Sequence, residues 1–452
     1  MAFHFASALL PEGWAPNVRV EIADGKFAGI ERDVPPAAGD ERVAVALPGM
    51  CNVHSHGFQR GMAGLTEFRG PEADNFWSWR TLMYRFVARM TPDDIGAISA
   101  QAYVEMLESG FTRVGEFHYV HHDPKGVPYA NPAETAVHVA AAVARTGIGL
   151  TLLPVFYANG GFGGAPANEG QRRFVNGMDG FARLLDASRK IVRSLEGATL
   201  GVAPHSLRAV TPEELAQVVK LGGDGPVHIH AAEQTLEVEQ CMAWSGARPV
   251  QWLLDHAAVD SRWCLVHATH MNDDESARLA ASGAVAGLCP VTEANLGDGI
   301  FPATAYLGAG GAFGIGTDSN VSIAVASELR QLEYSQRLRD RARNVIGAAD
   351  ARSTGRVLFE GALRGGAQAL GVAAGIAKGA AADFLSLSDE SSALAGRAGD
   401  ALLDSVIFAA GGECIDGVWR AGRKVVTQGR HHARGEVGSR YREVLQRLLS
   451  EA

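Results

Sequence analysis

From residue 48 onward one pattern recurs eight times: a short apolar run ends in a polar, chemically able residue, and a helical stretch follows. The runs are LPGMCNVHSH to His56, FTRVGEF to Phe117, GIGLTLLPVF to Phe156 and ATLGVAPH to His205. PVHIHAAE to Glu233, RWCLVHATH to His270, SGAVAGLCP to Pro290 and GAFGIGTD to Asp318 complete the set. Runs without alternation suit parallel strands buried on both faces. Amphipathic stretches such as 91–110 and 180–197 separate them, and the first opens with Thr91 as cap and Pro92 at the first helical position, a standard start signal. Eight strands alternating with helices over roughly 300 residues predict a (β/α)₈ TIM barrel. A doubly wound open sheet would carry a Gly-rich phosphate turn after its first strand, and none is present.

The two ends read differently. Residues 1–47 hold short alternating segments with an Asp24-Gly25 turn, and residues 376–432 hold similar segments. Such alternation marks half-buried strands, and Asp-Gly is a hairpin signal. Both ends are therefore expected to form one small β-sandwich domain beside a barrel spanning 48–375, with 433–452 as a terminal helix. MAFHFASALL lacks a basic leader and a cleavage site, which predicts a strand and not a signal peptide. ANGGFGGAPANEG, 158–170, follows the third strand and is either a lid or a disordered surface loop.

Bulk properties narrow the function. A formal charge of −9 argues against a nucleic-acid partner, which needs a basic face. It leaves room for a small anionic substrate in a locally positive pocket. No uncharged run reaches the ~20 residues of a membrane helix, so no membrane partner is expected. The five cysteines are scattered without C-x-x-C spacing, as free thiols of a reducing cytoplasm would be.

The strand ends of a barrel collect on one face, where catalytic groups sit. Fifteen histidines in 452 residues would give by chance roughly half an H-x-H pair, yet two occur, His54/His56 and His228/His230. Taken alone, each is equally readable as polar strand-end residues. Together with His230 on strand five, His267 on strand six and Asp318 ending strand eight, they form a set that suits zinc. Glu233, three residues past His230, is placed to reach the water or the substrate. Its other role would be a helix-start carboxylate. His228 lies deeper and reads as a core group; His121 and His122 read as loop residues. Arg208, just past strand four, and Arg80, in the long first loop, are guanidiniums able to grip carboxylates. A solvated surface position is the alternative for both.

LPGMCNVHSH, HIHAAE, LVHATH and GIGTDS resemble the strand-one, five, six and eight motifs of the amidohydrolase superfamily. The resemblance runs through the whole chain. It implies one Zn²⁺ per chain (Fe²⁺ as an alternative) on His54, His56, His230 and Asp318, with Glu233, His267 and Asp318 catalytic. Dinuclear members carry a lysine at the end of strand four, where this chain has GVAPHSLRAV. More narrowly, HSHGFQRGMAGL, DNFWSWRTLMY, GEFHYVHHD, APHSLRAV and HIHAAEQ resemble the formimidoylglutamate deiminase family. That resemblance implies hydrolytic deimination of N-formimidoyl-L-glutamate to N-formyl-L-glutamate and ammonia, in histidine degradation. It also implies a cytoplasmic homodimer and substrate contacts from Gln59, Arg80, Tyr119, His205 and Arg208. The alternatives are a mononuclear deaminase of a purine-like or guanidino substrate, a hydrolase of amides or chloro-substituted rings, and a barrel that has lost catalysis.

Overall fold

The computed structural model describes residues 1–67, 75–347 and 352–450. Asp74, which opens the DNFWSWRTLMY stretch, and the last two residues of the tail lie outside the described residues.

Seventeen strands are formed among the described residues. The N-terminal part gives β1 (Ala2–Leu10), β2 (Gly13–Ala23), β3 (Lys26–Glu31) and β4 (Glu41–Pro48). After Gly49 come β5 (Met50–Ser55), β6 (Phe111–His118) and β7 (Gly149–Phe156). The fourth barrel strand is in two short pieces, β8 (Thr199–Leu200) and β9 (Ala203–Pro204). Then follow β10 (Val227–Ala231), β11 (Trp263–His267), β12 (Val285–Leu288) and β13 (Ala312–Ile315). The C-terminal part gives β14 (Phe384–Leu387), β15 (Ile415–Arg420), β16 (Arg423–Thr427) and β17 (Arg430–His431).

β5 to β13 pair in parallel in the order β10-β11-β12-β13-β5-β6-β7-β8, with β9 also on β7. The circle closes through single bridges Val202–Val227 and Ser206–His230, with His230 N donating to the His205 carbonyl at 3.0 Å. This is an eight-stranded (β/α)₈ barrel. The strands are buried almost throughout, which is why their sequences do not alternate.

The start of the helix Pro92–Glu108 follows from its first residues. Thr91 Oγ1 accepts from Asp94 N, and the Asp94 carboxylate accepts from Thr91 N, a reciprocal cap. The C-terminal helix Arg434–Ser450 is tied to this point by an Arg447–Asp94 ion pair. Beneath the barrel, the helix Thr354–Ala369 packs so closely that a β-carbon at Gly365 would lie 2.0 Å from the Phe313 carbonyl oxygen.

The two chain ends form one sheet, ordered β17-β16-β15-β14-β4-β1-β2-β3. Asp24 and Gly25, at φ 50° and 70°, make the β2–β3 turn. The sheet curls into a sandwich: Lys26 bridges to Ala381, and the Phe27 and Phe384 rings come within 6.2 Å. Phe3, Phe5 and Trp419 complete that core, with Phe384 stacked on Trp419 at 4.7 Å.

Candidate active site

The C-terminal ends of the barrel strands bring four donors together. Nε2 of His54 lies 3.2 Å from Nε2 of His230. Asp318 Oδ1 lies 3.4 Å from His54 Nε2 and 3.3 Å from His56 Nε2. The ligand atoms of His54, His56 and His230 all lie within 4.8 Å of one another. Strand β13 and the turn after it carry Asp318 into this position: Gly316 passes so close that a β-carbon would sit 2.7 Å from the His54 carbonyl oxygen.

Backbone carbonyls decide which ring nitrogens are bare. His56 Nδ1 is 2.9 Å from the Phe117 carbonyl, and His230 Nδ1 is 3.0 Å from the His205 carbonyl. A carbonyl only accepts, so both Nδ1 atoms carry the proton and both Nε2 atoms present lone pairs. Burial holds His54 down to about 3 and lowers His56 and His230 as well. Burial alone would raise the Asp318 carboxyl, but the His54 hydrogen bond and the neighbouring imidazoles hold it well below the usual carboxylate range. Neutral imidazole lone pairs and a carboxylate facing one point fit a divalent cation of the zinc type. Cys289 also lies within 4.8 Å of His267 and Asp318, but burial pushes its thiol well up, which disfavours the thiolate a metal needs.

Beside these donors stand Glu233 and His267. His267 Nε2 is 3.6 Å from Glu233 Oε1 and 3.8 Å from Asp318 Oδ2. Burial disfavours the charged ring, yet Glu233, the Glu293 hydrogen bond and Asp318 outweigh it and raise His267 to about 10. Burial raises Glu233 to about 7, against the opposing pull of His267 and Arg208. A carboxyl poised there can hold and release a proton near neutrality. Its main chain is held by Glu237, whose carboxylate accepts from Ala232 N and Glu233 N.

The cavity over this cluster is lined by Gln59, Arg80, Tyr119, His205 and Arg208 among others. Gln59 donates to the Tyr119 hydroxyl at 2.8 Å. Arg208 is 8% exposed, its Nη1 has no hydrogen-bond partner among the described residues, and its Nη2 is 3.9 Å from Glu233. Arg80 comes from the helix Phe76–Val87, whose cap Asn75 accepts from Trp77 N at 2.9 Å. Its guanidinium lies 4.4 Å from the Trp77 ring, and that of Arg208 lies 5.5 Å from the same ring. The far end of this helix is pinned by Arg173, which donates to the Val87, Met90 and His122 carbonyls.

A family model described as the amidohydrolase family matches residues 45–425. The chain belongs to the amidohydrolase family. A second model, the N-terminal domain of formimidoylglutamate deiminase HutF, matches residues 1–44. A formimidoylglutamate deiminase of Pseudomonas aeruginosa is 55% identical over 446 residues, covering 98% of each chain. A 5-methylthioadenosine/S-adenosylhomocysteine deaminase of Natronomonas pharaonis is 29% identical, over 80% of this chain and 78% of its own. A crystal structure of an amidohydrolase from Brucella melitensis superposes with a TM-score of 0.96 at 57% identity, covering 99% of each chain.

Three other histidines lie outside the donor cluster. His228 gives Nε2 to the Ala369 carbonyl at 2.7 Å, in the core below the site. His121 and His122 bind the Val155 and Val175 carbonyls at 2.9 and 2.8 Å and do not join the donor cluster. The Gly-rich loop folds compactly: Gly160 lines the cavity, and Phe162 stacks on Trp244 at 5.6 Å. Sequence reasoning passed over Glu293, whose Oε1 is 3.2 Å from His267 Nδ1. It also passed over Asn320, which donates to Ser55 Oγ and to the His56 and Asp318 carbonyls at 3.0–3.1 Å. The available signal for Asn320 was its place two residues after Asp318 in TDSN; Glu293 sits in a helix with no such marker.

Proposed function

We propose that the chain is a metal-dependent hydrolase of N-formimidoyl-L-glutamate, giving N-formyl-L-glutamate and ammonia. The observation that carries the substrate side is the buried Arg208, whose Nη1, beside Glu233, has no partner among the described residues. A buried guanidinium donor without a partner calls for an anion. Arg80, across Trp77, supplies a second cation for a substrate with two carboxylates. The identity to a protein named formimidoylglutamate deiminase over nearly the whole length supports the same substrate.

His54, His56, His230 and Asp318 would hold one zinc ion per chain, with iron(II) the alternative, and the ion would make water a competent nucleophile at neutral pH. The remaining work belongs to side chains. Asp318 accepts a proton from the attacking water through the carboxylate face turned to His267. His267 Nε2 donates to the attacking oxygen and steadies its charge. As oxygen bonds to the formimidoyl carbon, Glu233 delivers a proton to the imino nitrogen. The proton on Asp318 then passes to the same nitrogen, the C–N bond breaks and ammonia leaves, and the remaining proton on the oxygen returns to Glu233 as that oxygen becomes the formyl carbonyl. Gln59, Tyr119 and His205 fix the formimidoyl end against this set.

The working form we propose is a cytoplasmic homodimer within histidine degradation. No helix among the described residues is long and apolar enough to cross a membrane.

The test is ammonia release from N-formimidoyl-L-glutamate, with and without a chelator. Turnover that the chelator abolishes and zinc restores is expected. Activity on an aminopurine or guanidino compound, with none on formimidoylglutamate, overturns the substrate assignment.

A further inference from the structure

We propose that Glu293 is a positioning residue for the reaction, fixing the His267 ring so that Nε2, and not Nδ1, faces the reacting atoms. The inference rests on the reading above only in taking His267 as a working group.

The strand alone does not orient this ring. His267 is the last residue of β11 and has a left-handed φ of 68°, followed by Ala268 at 49°. Its side-chain direction therefore depends on what the ring meets. On one side it meets Glu293 Oε1, 3.2 Å from Nδ1. The same oxygen accepts from Cys289 N at 2.9 Å, and Glu293 N donates to the Cys289 carbonyl at 2.9 Å. The carboxylate is thus anchored before it touches the ring. On the other side Nε2 has no hydrogen-bond partner among the described residues and faces Glu233 and Asp318 at 3.6 and 3.8 Å.

A carboxylate only accepts, so Nδ1 keeps its proton and any exchange with water or substrate takes place at Nε2. A carboxylate that orients a working histidine through its Nδ1 is the logic of catalytic triads. Glu293 is 4% exposed and does not line the cavity, so it acts through His267 and not on the substrate.

The competing role is structural: Glu293 satisfies Cys289 N and nothing more. A double-mutant cycle separates the two. Glu293→Ala should lower kcat by roughly 30-fold or more, with KM within about threefold, since orientation errors fall on the transition state. Metal content should not change. Glu293→Gln, which keeps an oxygen for both donors, should recover at least about tenfold of that loss. In a His267→Ala background, Glu293→Ala should change kcat by less than about threefold. A loss that persists at full size in that background, a loss carried by KM, or a glutamine no better than alanine overturns the proposal. Nitrogen-15 NMR of histidine-labelled protein, assigned with His267→Ala, gives a readout independent of turnover. A protonated Nδ1 at His267 in the parent that loses its hydrogen-bonded proton signal in Glu293→Ala is expected, and an unprotonated Nδ1 in the parent refutes it. Failure to release ammonia from formimidoylglutamate would sink the substrate reading while leaving the NMR test standing.

Discussion

Removing the Arg208 guanidinium is the sharpest test of the substrate side. In Arg208→Ala the cavity loses a cation that is 8% exposed and whose Nη1 has no partner among the described residues. Truncating one member of a buried, hydrogen-bonded charge pair costs about 2–5 kcal/mol. At 1.4 kcal/mol per factor of ten, kcat/KM should fall roughly 30- to 4,000-fold. The carboxylate is held equally in the ground and transition states, so most of the loss should appear in KM. Arg208→Lys keeps the charge without the fork and should fall between. The assay is coupled ammonia release, run on three substrates. N-formimidoyl-2-aminobutyrate lacks the side-chain carboxylate, and N-formimidoyl-4-aminobutyrate lacks the α-carboxylate. The parent should lose affinity for both. The Arg208→Ala penalty should nearly vanish on the one whose missing carboxylate Arg208 held. An equal penalty on all three substrates, or an unchanged KM on the dianion, would refute the clamp.

Glu233→Gln should retain its metal yet lose about 10²–10⁴ in kcat; near-parental turnover removes Glu233 from the proton path. Elemental analysis should find about one ion per chain, as a single set of three imidazoles and one carboxylate would bind, and two reproducible ions would contradict the assignment. Asn320→Ala cuts three hydrogen bonds that hold Ser55, His56 and Asp318 together. Its metal affinity, read by competition with a chelating dye, should drop about 10- to 100-fold; parental affinity would show that the turn holds itself. Glu116 is fully buried and raised by that burial from 4.5 to about 7, while accepting from Gly57 N and the Tyr103 hydroxyl. A carboxyl whose folded value is raised costs nothing below about pH 4.5 and destabilises progressively up to about 7, on the order of 3 kcal/mol in full. Glu116→Gln should therefore raise Tm relative to the parent at pH 8 more than at pH 5, and an equal shift at both would refute the assignment.

Parallel barrel strands announce themselves because both faces are buried. His54, His56, His230, His267 and Asp318 could be assigned to one face for the same reason: each lies at or within a few residues of the end of such a run, and the barrel gathers run ends on one face. Strand four was less clear, and it forms only β8 and β9, two residues each, closed by isolated bridges. Its apolar stretch marks burial, whereas ladder length depends on its neighbours. Glu293 and Asn320 were missed because their partners lie 26 and 264 residues away. A glutamate within CPVTEANLGDG reads as a solvated helix residue until the packing puts it on His267.

The strand pattern also conceals where the backbone leaves regular geometry. Ala232, His267, Ala268, Asp318 and Asn320 all have φ between 41° and 68°, although none is glycine. Such conformations cost of order 1–3 kcal/mol each and persist only when surroundings hold them. Here the surroundings are specific. Asn52 Oδ1 accepts from Thr317 N and His54 N, Thr317 Oγ1 donates to Asn320 Oδ1 at 2.6 Å, and Asn320 Nδ2 ties His56 to Asp318. These bonds join β5 and the residue after it to the turn after β13, the two segments that supply three of the four proposed ligands. A regular strand would carry Asp318 on along its own axis. The left-handed turn brings it back over β5, within 3.4 Å of both His54 and His56. The polar groups buried around Asn52, Thr317 and Asn320 thus hold a backbone geometry that the ligand set requires and local sequence preference opposes.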